Sequence, residues 1–251
     1  MNIAVCVKQV PDTASQIKIS DNNTTIDDGE IKYEINPFDE YALEEAFRLK
    51  DNDNNVNITV ISLGPERVKQ SLTKILAMGA DNAVHLHTDE IIYDCMSIAN
   101  IISEEIKKKQ YDLILFGKKS VDQDNNQVGI MIGEINGISC ISNCSEFKIE
   151  DNKIIANREV EGSIEVFESE FPAIITHEKG RNELRYPSLK DLMAAKKKTI
   201  ETINIDINEL KNSEIIKLEY PNKREEGVII GEDKTSVSEL IRILREEKKL
   251  I

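Results

Sequence analysis

The chain has 251 residues, 40% of them hydrophobic, enough to bury one substantial core with a smaller appendage. Its formal net charge of −14 disfavours nucleic acid as a partner, because an acidic surface repels phosphates instead of releasing their counterions. No stretch approaches the roughly 18 apolar residues of a membrane span, and the apolar start MNIAVCVKQV is too short for a signal sequence, so a cytoplasmic protein is expected.

Residues 3–7 read as a first buried strand, followed by a polar, turn-rich stretch over 11–30 that is too irregular for core. INPFDEYALEEAFRLK then predicts a helix: Asn36 is the N-cap, Pro37 takes the first helical position, and Asp39 and Glu40 sit in the positive first turn. Ala42, Leu43, Ala46, Phe47 and Leu49 make its apolar face. NITVISLGP is the second strand, ending at Gly64 and Pro65. ERVKQSLTKILAMGAD is a helix with Val68, Leu72, Ile75 and Leu76 inward and Gly79 as its stop. A third strand covers 83–86, a helix 96–106 and a fourth strand 111–116; another helix opens at Val128 and ends at Gly137.

Strands alternating with helices imply right-handed βαβ units, hence an α/β fold with a Rossmann-like parallel sheet flanked by helices. The pattern then changes. KIIANREV and SIEVFES, joined by Glu161 and Gly162, predict a small antiparallel addition, and PAIITHE adds a strand. The remainder is charged and less periodic until SVSELIRILREEKKLI, a closing helix with Val237, Leu240, Ile241 and Leu244 on one face. Set apart by polar residues 201–235, it reads as the end of an extended arm whose apolar stripe needs a partner surface.

The four cysteines, Cys6, Cys95, Cys140 and Cys144, form no CxxC pair, and the CxxxC of Cys140 and Cys144 lacks a matching His or Cys pair, so reduced thiols are expected rather than zinc. His85 and His87 share one strand face without a supporting carboxylate or third histidine. With His177 the only other histidine, acid–base catalysis is poorly supplied and no catalytic residue is assigned.

The stretch YDLILFGKKSVDQDNNQVG, residues 111–129, carries most of the chemistry. A buried strand runs into Gly117, then a polar loop, then Gly129 at a helix start, as at the carboxyl end of a parallel strand where such sheets bind ligands. The loop is neither a P-loop nor a GxGxxG fingerprint. Asp122, Asp124, Asn125, Asn126 and Gln127 offer acceptors and amide donors. The two glycines suit close approach of backbone to a ligand, and the N–H groups opening the Val128 helix suit a phosphate. The plain alternative is a solvated, Asx-rich turn; Gly64-Pro65 and the Asn36 helix start, at the same sheet edge, weigh against it. Asp122 and Asp124 also allow a magnesium-dependent hydrolase reading.

A second constellation is RNELRYPSLKDLMAAKKK, residues 181–198. Ser188 caps a short helix carrying Leu189, Leu192 and Met193, and Lys196, Lys197 and Lys198 end it. This is an ordinary capped surface helix or a docking loop, an apolar anchor beside steering charges. Lys107, Lys108 and Lys109, at another helix end, read as solvated.

Together VKQVPD, NPFDEYALEEA, SLGP, AMGAD, GKKSVDQDNNQVG, REVEG and NELRYPSLKDLMAAKKK resemble the β subunit of electron transfer flavoprotein, in the expected order over residues 1–200. The resemblance implies an adenine-nucleotide-binding α/β domain over residues 1–200 with a partner-recognition loop at 182–198. It also implies a C-terminal arm and helix over 201–251 that packs on an α subunit. That α subunit would hold the redox FAD, while this subunit carries AMP, or a second FAD in electron-bifurcating members that oxidise NADH.

Carried over by motif, the nucleotide contacts are Cys6, Asn36, Pro37, Phe38, Asp39, Leu63, Gly64, Gly117, Lys119, Ser120, Val121, Asp122, Asp124, Asn125, Asn126, Gln127, Val128 and Gly129. Leu189, with Lys196 to Lys198 beside it, would enter a flavin-dependent dehydrogenase such as an acyl-CoA dehydrogenase. Bifurcating members typically read DGDTAQVGP where this chain has DQDNNQVGI, and AMP-type members commonly place threonine where Val128 sits. AMP is favoured. NELRYP replaces the usual NEPRYP, with Leu184 for proline. The alternative from another class is a stand-alone universal-stress-type nucleotide-binding regulator, which needs neither the Leu189 loop nor the arm.

Overall fold

Apolar runs too short for helices become strands, and the 3.6-residue patterns between them become helices that cover the sheet on both faces. The computed structural model describes residues 1–180, 182–207, 212–223, 226–234 and 236–251. In chain order these form β1 (Asn2–Cys6), β2 (Gln9–Pro11), β3 (Tyr33–Ile35), α1 (Pro37–Asn52), β4 (Asn57–Gly64), α2 (Val68–Met78), β5 (Asn82–His87), α3 (Cys95–Lys108), β6 (Leu113–Gly117) and α4 (Val128–Asn136). Then come β7 (Ser139–Cys144), β8 (Glu146–Glu150), β9 (Lys153–Val160), β10 (Ser163–Glu170), β11 (Ala173–His177), α5 (Leu189–Ala195), β12 (Glu201–Asn204) and α6 (Ser236–Arg242), which passes into a π-helical turn at Ile243–Glu247.

Seven strands pair in the order β12-β5-β4-β1-β6-β11-β7, each neighbouring pair parallel. Alternate residues of the central strands feed two cores. Ile3, Val5, Leu113 and Leu115 pack with Leu43, Phe47, Leu72 and Ile75 of α1 and α2. Ala4, Cys6, Ile114 and Phe116 pack with Ile102, Ile106 and Ile132 of α3 and α4. This is the expected α/β architecture. β1 leads to β4 and β5 on one side and the chain then crosses to β6 on the other, so the carboxyl ends of β1 and β6 flank a topological switch point.

The predicted hairpin is present as β9 and β10, turning at Gly162 with φ 75°, and β8 completes its three-stranded antiparallel sheet. Three features depart from the sequence reading. Residues 11–30 are not wholly irregular: β2 pairs with β3, and an isolated bridge joins Ile19 to Ile26. Residues 139–144, between two predicted elements, form β7 at the sheet edge. Residues 201–204 form β12, which extends the main sheet beyond β5, because Ile203, Ile205 and Ile207 alternate onto the α3 side of the core. Of the final predicted helix, none of the described residues of α6 is buried. Arg181 and Thr235, at the bounds of the docking segment and the polar stretch, lie outside the described residues. No helix among the described residues is long and apolar enough to cross a membrane.

Candidate functional site

A cleft of about 470 Å³ opens at the carboxyl ends of β4, β1 and β6, over the switch point. The start of α1 builds its floor. Asn36 occupies the N-cap position, but its side chain makes no cap bond. Its backbone oxygen already accepts from Asp39 and Glu40 N–H, which frees the amide to grip the loop after β6. There Nδ2 donates to the Lys119 carbonyl at 2.9 Å, and Oδ1 accepts from Val121 N–H at 3.1 Å. The predicted cap is therefore a loop anchor.

Asp39 ties the two strand ends together. Its carboxylate accepts from Lys8 N–H at 2.7 Å and from Gly117 N–H at 3.0 Å. Burial pushes this carboxyl up to about 7, although both backbone donors pull the other way. This packing requires both glycines. A Cβ on Gly117 would stand 2.4 Å from Asp39 Oδ1 and 2.6 Å from the Phe38 carbonyl carbon, and one on Gly129 would stand 2.7 Å from Thr176 Cγ2.

The loop itself is held by lysines. Lys8 Nζ reaches Asp122 at 2.7 Å, Gln123 Oε1 at 3.0 Å and Ser120 Oγ at 3.3 Å. Lys119 pairs with Asp124 at 2.6 Å. Asp122 and Asp124, read as a magnesium pair, thus each close on an ammonium. Among the described residues no three His, Cys, Asp or Glu side chains converge as a metal site. Asn125 donates to Cys95 Sγ at 3.2 Å and Asn126 to Asn143 Oδ1 at 3.0 Å. Asp124 and Asn126 take left-handed φ of 58° and 51°, which Asx residues tolerate.

Two polar groupings at this edge suit a ligand that carries a phosphate and a hydrogen-bond donor. The first N–H groups of α4 have no intrahelical acceptor, and Gln127, Val128 and Gly129 at that helix start line the cleft. Asn126 Oδ1 is buried without a partner among the described residues.

Of the residues expected to meet a nucleotide, Cys6, Asn36, Asp39, Leu63, Gly64, Gly117, Lys119 to Asp122 and Asn125 to Gly129 line the cleft. Pro37, Phe38 and Asp124 do not. Phe38 lies beneath Lys118 and Lys119, whose Nζ atoms stand 5.4 and 5.8 Å from its ring centroid. Sequence reasoning missed Lys8, Gln9, Tyr33, Arg67 and Tyr93, which also line it. Lys8 had one legible signal: a charged residue directly after a buried strand, on the ligand edge.

His85 Nε2 bonds the Gly64 carbonyl at 2.8 Å, and its ring meets His87 edge-on. All four cysteines are free, and burial raises the thiols of Cys6, Cys140 and Cys144 above the usual range.

Away from the cleft, Ser188 and Asp191 form a capping box that starts α5. Leu189 is 83% exposed and Met193 64%, and Lys196 and Lys197 are exposed. Lys198 instead donates to the carbonyls of Ala80 at 3.0 Å and Leu76 at 3.4 Å, stopping the end of α2. Lys107, Lys108 and Lys109 are not simply solvated either, since they pair with Glu104, Glu105 and Glu201.

A family model described as the electron transfer flavoprotein domain matches residues 23–208. The electron transfer flavoprotein subunit beta of Bacillus subtilis is 34% identical over 260 aligned residues, covering 100% of both chains. The Arabidopsis thaliana protein of that name, designated mitochondrial, is 34% identical over 258 residues, again with 100% of both covered. Its Megasphaera elsdenii counterpart is 39% identical over 213 residues, 81% of this chain and 78% of its own.

Proposed function

The chain belongs to the electron transfer flavoprotein family as a β subunit, and from that premise we propose that it works in a heterodimer as an electron carrier whose switch-point cleft binds an adenine nucleotide, AMP foremost. Flavin held mainly by the α subunit supplies the redox chemistry. This chain's residues bind and orient. The N–H groups opening α4 receive a phosphate, Lys8 holds the loop through Asp122, and Asn36 and Asp39 lock loop, helix and strand ends into one rigid rim. A nucleotide bound only by the folded state stabilises it by RT ln(1 + L/Kd), with L the free nucleotide concentration, which grows with the logarithm of L once the site is filled.

The observation that carries this reading is the convergence of those groups on one cleft at the β1/β6 switch point. A second reading, an FAD in place of AMP with hydride accepted from NADH, is supported by the cleft's extension past the loop to Tyr33, Arg67, Tyr93 and Leu218. The docking helix α5 would meet a flavin-dependent dehydrogenase such as an acyl-CoA dehydrogenase, with Leu189 as anchor. The residues beyond β12 would form the arm on the α subunit, covering Ile216, Val228 and Ile229, which are exposed here.

Co-expression with the α subunit followed by chromatography of extracted nucleotides tests the cleft. One FAD and one AMP per heterodimer is the expected result, and two FAD selects the second reading. A single FAD with no further nucleotide overturns both. Asp122→Ala combined with Asn126→Ala lowers retention if the loop is the site; full retention moves the site elsewhere.

A further inference from the structure

A seven-residue helix cannot hold itself. Segments shorter than about 12 residues are marginal in water, and the capping box of α5 contributes only about 1 kcal/mol. Yet α5 is seated on the body while Tyr186, Leu189 and Met193 stay 77%, 83% and 64% exposed. Its order comes from anchors at either end. At the carboxyl end, Ala195 is buried and Lys198 bonds the Leu76 carbonyl of α2 and the Ala80 carbonyl just past its end.

At the amino end the anchor is Arg185. Its backbone N–H donates to Glu44 Oε2 at 3.0 Å, its Nε to the same oxygen at 3.0 Å and its Nη2 to Glu44 Oε1 at 2.8 Å. Nη2 also reaches Asp51 Oδ2 at 2.7 Å, and the guanidinium stands 5.0 Å from the Phe47 ring centroid. Asn182 adds a bond to Glu45.

Glu44 is the unusual member. It is only 5% exposed, on the side of α1 that also buries Leu43 and Phe47. A buried carboxylate without a partner costs several kcal/mol, so Glu44 and Arg185 hold each other in place. The fork geometry is specific to arginine. A lysine supplies one point charge and cannot bond two carboxylate oxygens, reach Asp51 and cover Phe47 at once.

We propose that Arg185 is a positioning residue for partner docking: clamped on Glu44, it fixes the entry to α5 so that Leu189 meets the dehydrogenase already oriented. This rests on the docking role given to Leu189 above. Without the clamp, the ordering of α5 would be charged against each encounter, weakening association rather than electron transfer itself.

The test uses the flavin-loaded heterodimer as the electron acceptor of an acyl-CoA dehydrogenase. Arg185→Lys is expected to raise KM for the heterodimer about fivefold to tenfold, with kcat, flavin content and extracted nucleotide unchanged. Amides 186–195 should exchange faster with solvent while those of α1 do not. Added to Leu189→Ala, it should raise KM no further, because both changes act on one contact. Glu44→Gln, which keeps the side-chain shape, should reproduce the effect and stands in if Arg185→Lys folds poorly.

If Leu189→Ala raises KM but neither clamp variant does, or if the two effects simply add, the positioning role is wrong. If Leu189→Ala itself leaves KM unchanged, the docking reading falls and takes this inference with it.

Discussion

The centre of the sheet and the end of the chain use the same kind of side chain in opposite ways. Ile3, Leu113 and Ile114 are wholly buried between two layers of helices, whereas Ile216, Val228 and Ile229 are 89%, 84% and 83% exposed. Burial removes apolar area from water at about 25 cal/mol per Å², so the body carries its own stabilising core. The tail is tethered to the body by a few polar bonds. Leu218 N–H donates to the Asn23 carbonyl, Tyr220 Oη accepts from Ile19 N–H, and Asn212 donates to Asp94 and Ser97. Ile216, Val228 and Ile229 find no cover within the described residues, and an exposed apolar group of this kind is what a partner surface would bury.

The comparison can be broken at several points. The largest effect is expected in the core: Leu115→Ala should cost about 2–5 kcal/mol in urea unfolding of the isolated chain, while Ile229→Ala should stay within about 0.5 kcal/mol. Ile229→Ala should instead weaken assembly with the α subunit; equal losses in the isolated chain would mean the tail packs on its own body.

The glycines sharpen the same contrast. Gly117→Ala forces a methyl into Asp39 and the α1 backbone, costing about 1–3 kcal/mol, or roughly 2–12 °C in melting temperature. Gly227→Ala meets nothing within 4 Å and should leave the melting temperature unchanged. At the cleft, Lys8→Met strands Asp122 without its ammonium, and the nucleotide recovered from purified heterodimer should fall. Undiminished recovery would remove Lys8 from the rim's work.

A further effect lies in pH. The Asp39 carboxyl is held up to about 7 by burial, above its value in the unfolded chain. Its contribution to stability is therefore full below about pH 4 and lost as pH rises through 7. Asp39→Asn should flatten that part of the stability profile between pH 4 and 8, measured by unfolding midpoints; an unaltered slope would show that another group titrates there.

Much of the body was legible residue by residue. The buried strands, the Val68 to Leu76 face, the stops at Gly79 and Gly137 and the turn at Gly162 all follow local patterns. β12 was missed, because polar neighbours disguise the alternation of Ile203, Ile205 and Ile207. Asn36 shows where local reading stops. An Asn before a Pro-initiated helix is a sound N-cap by composition, and only the arrival of Lys119 and Val121 beside it turns the amide outward.

The sequence by itself thus determined the alternation of strands and helices, the polar loop after β6 and the family, because periodicity and motif order are local properties of the chain. Only the tertiary structure decided what the functional side chains do. Lys8 meets Asp122 across 114 positions, Asp39 meets Gly117 across 78 and Arg185 meets Glu44 across 141. Those pairings depend on which strands lie beside which, and sheet order is set by the packing of both helical layers at once.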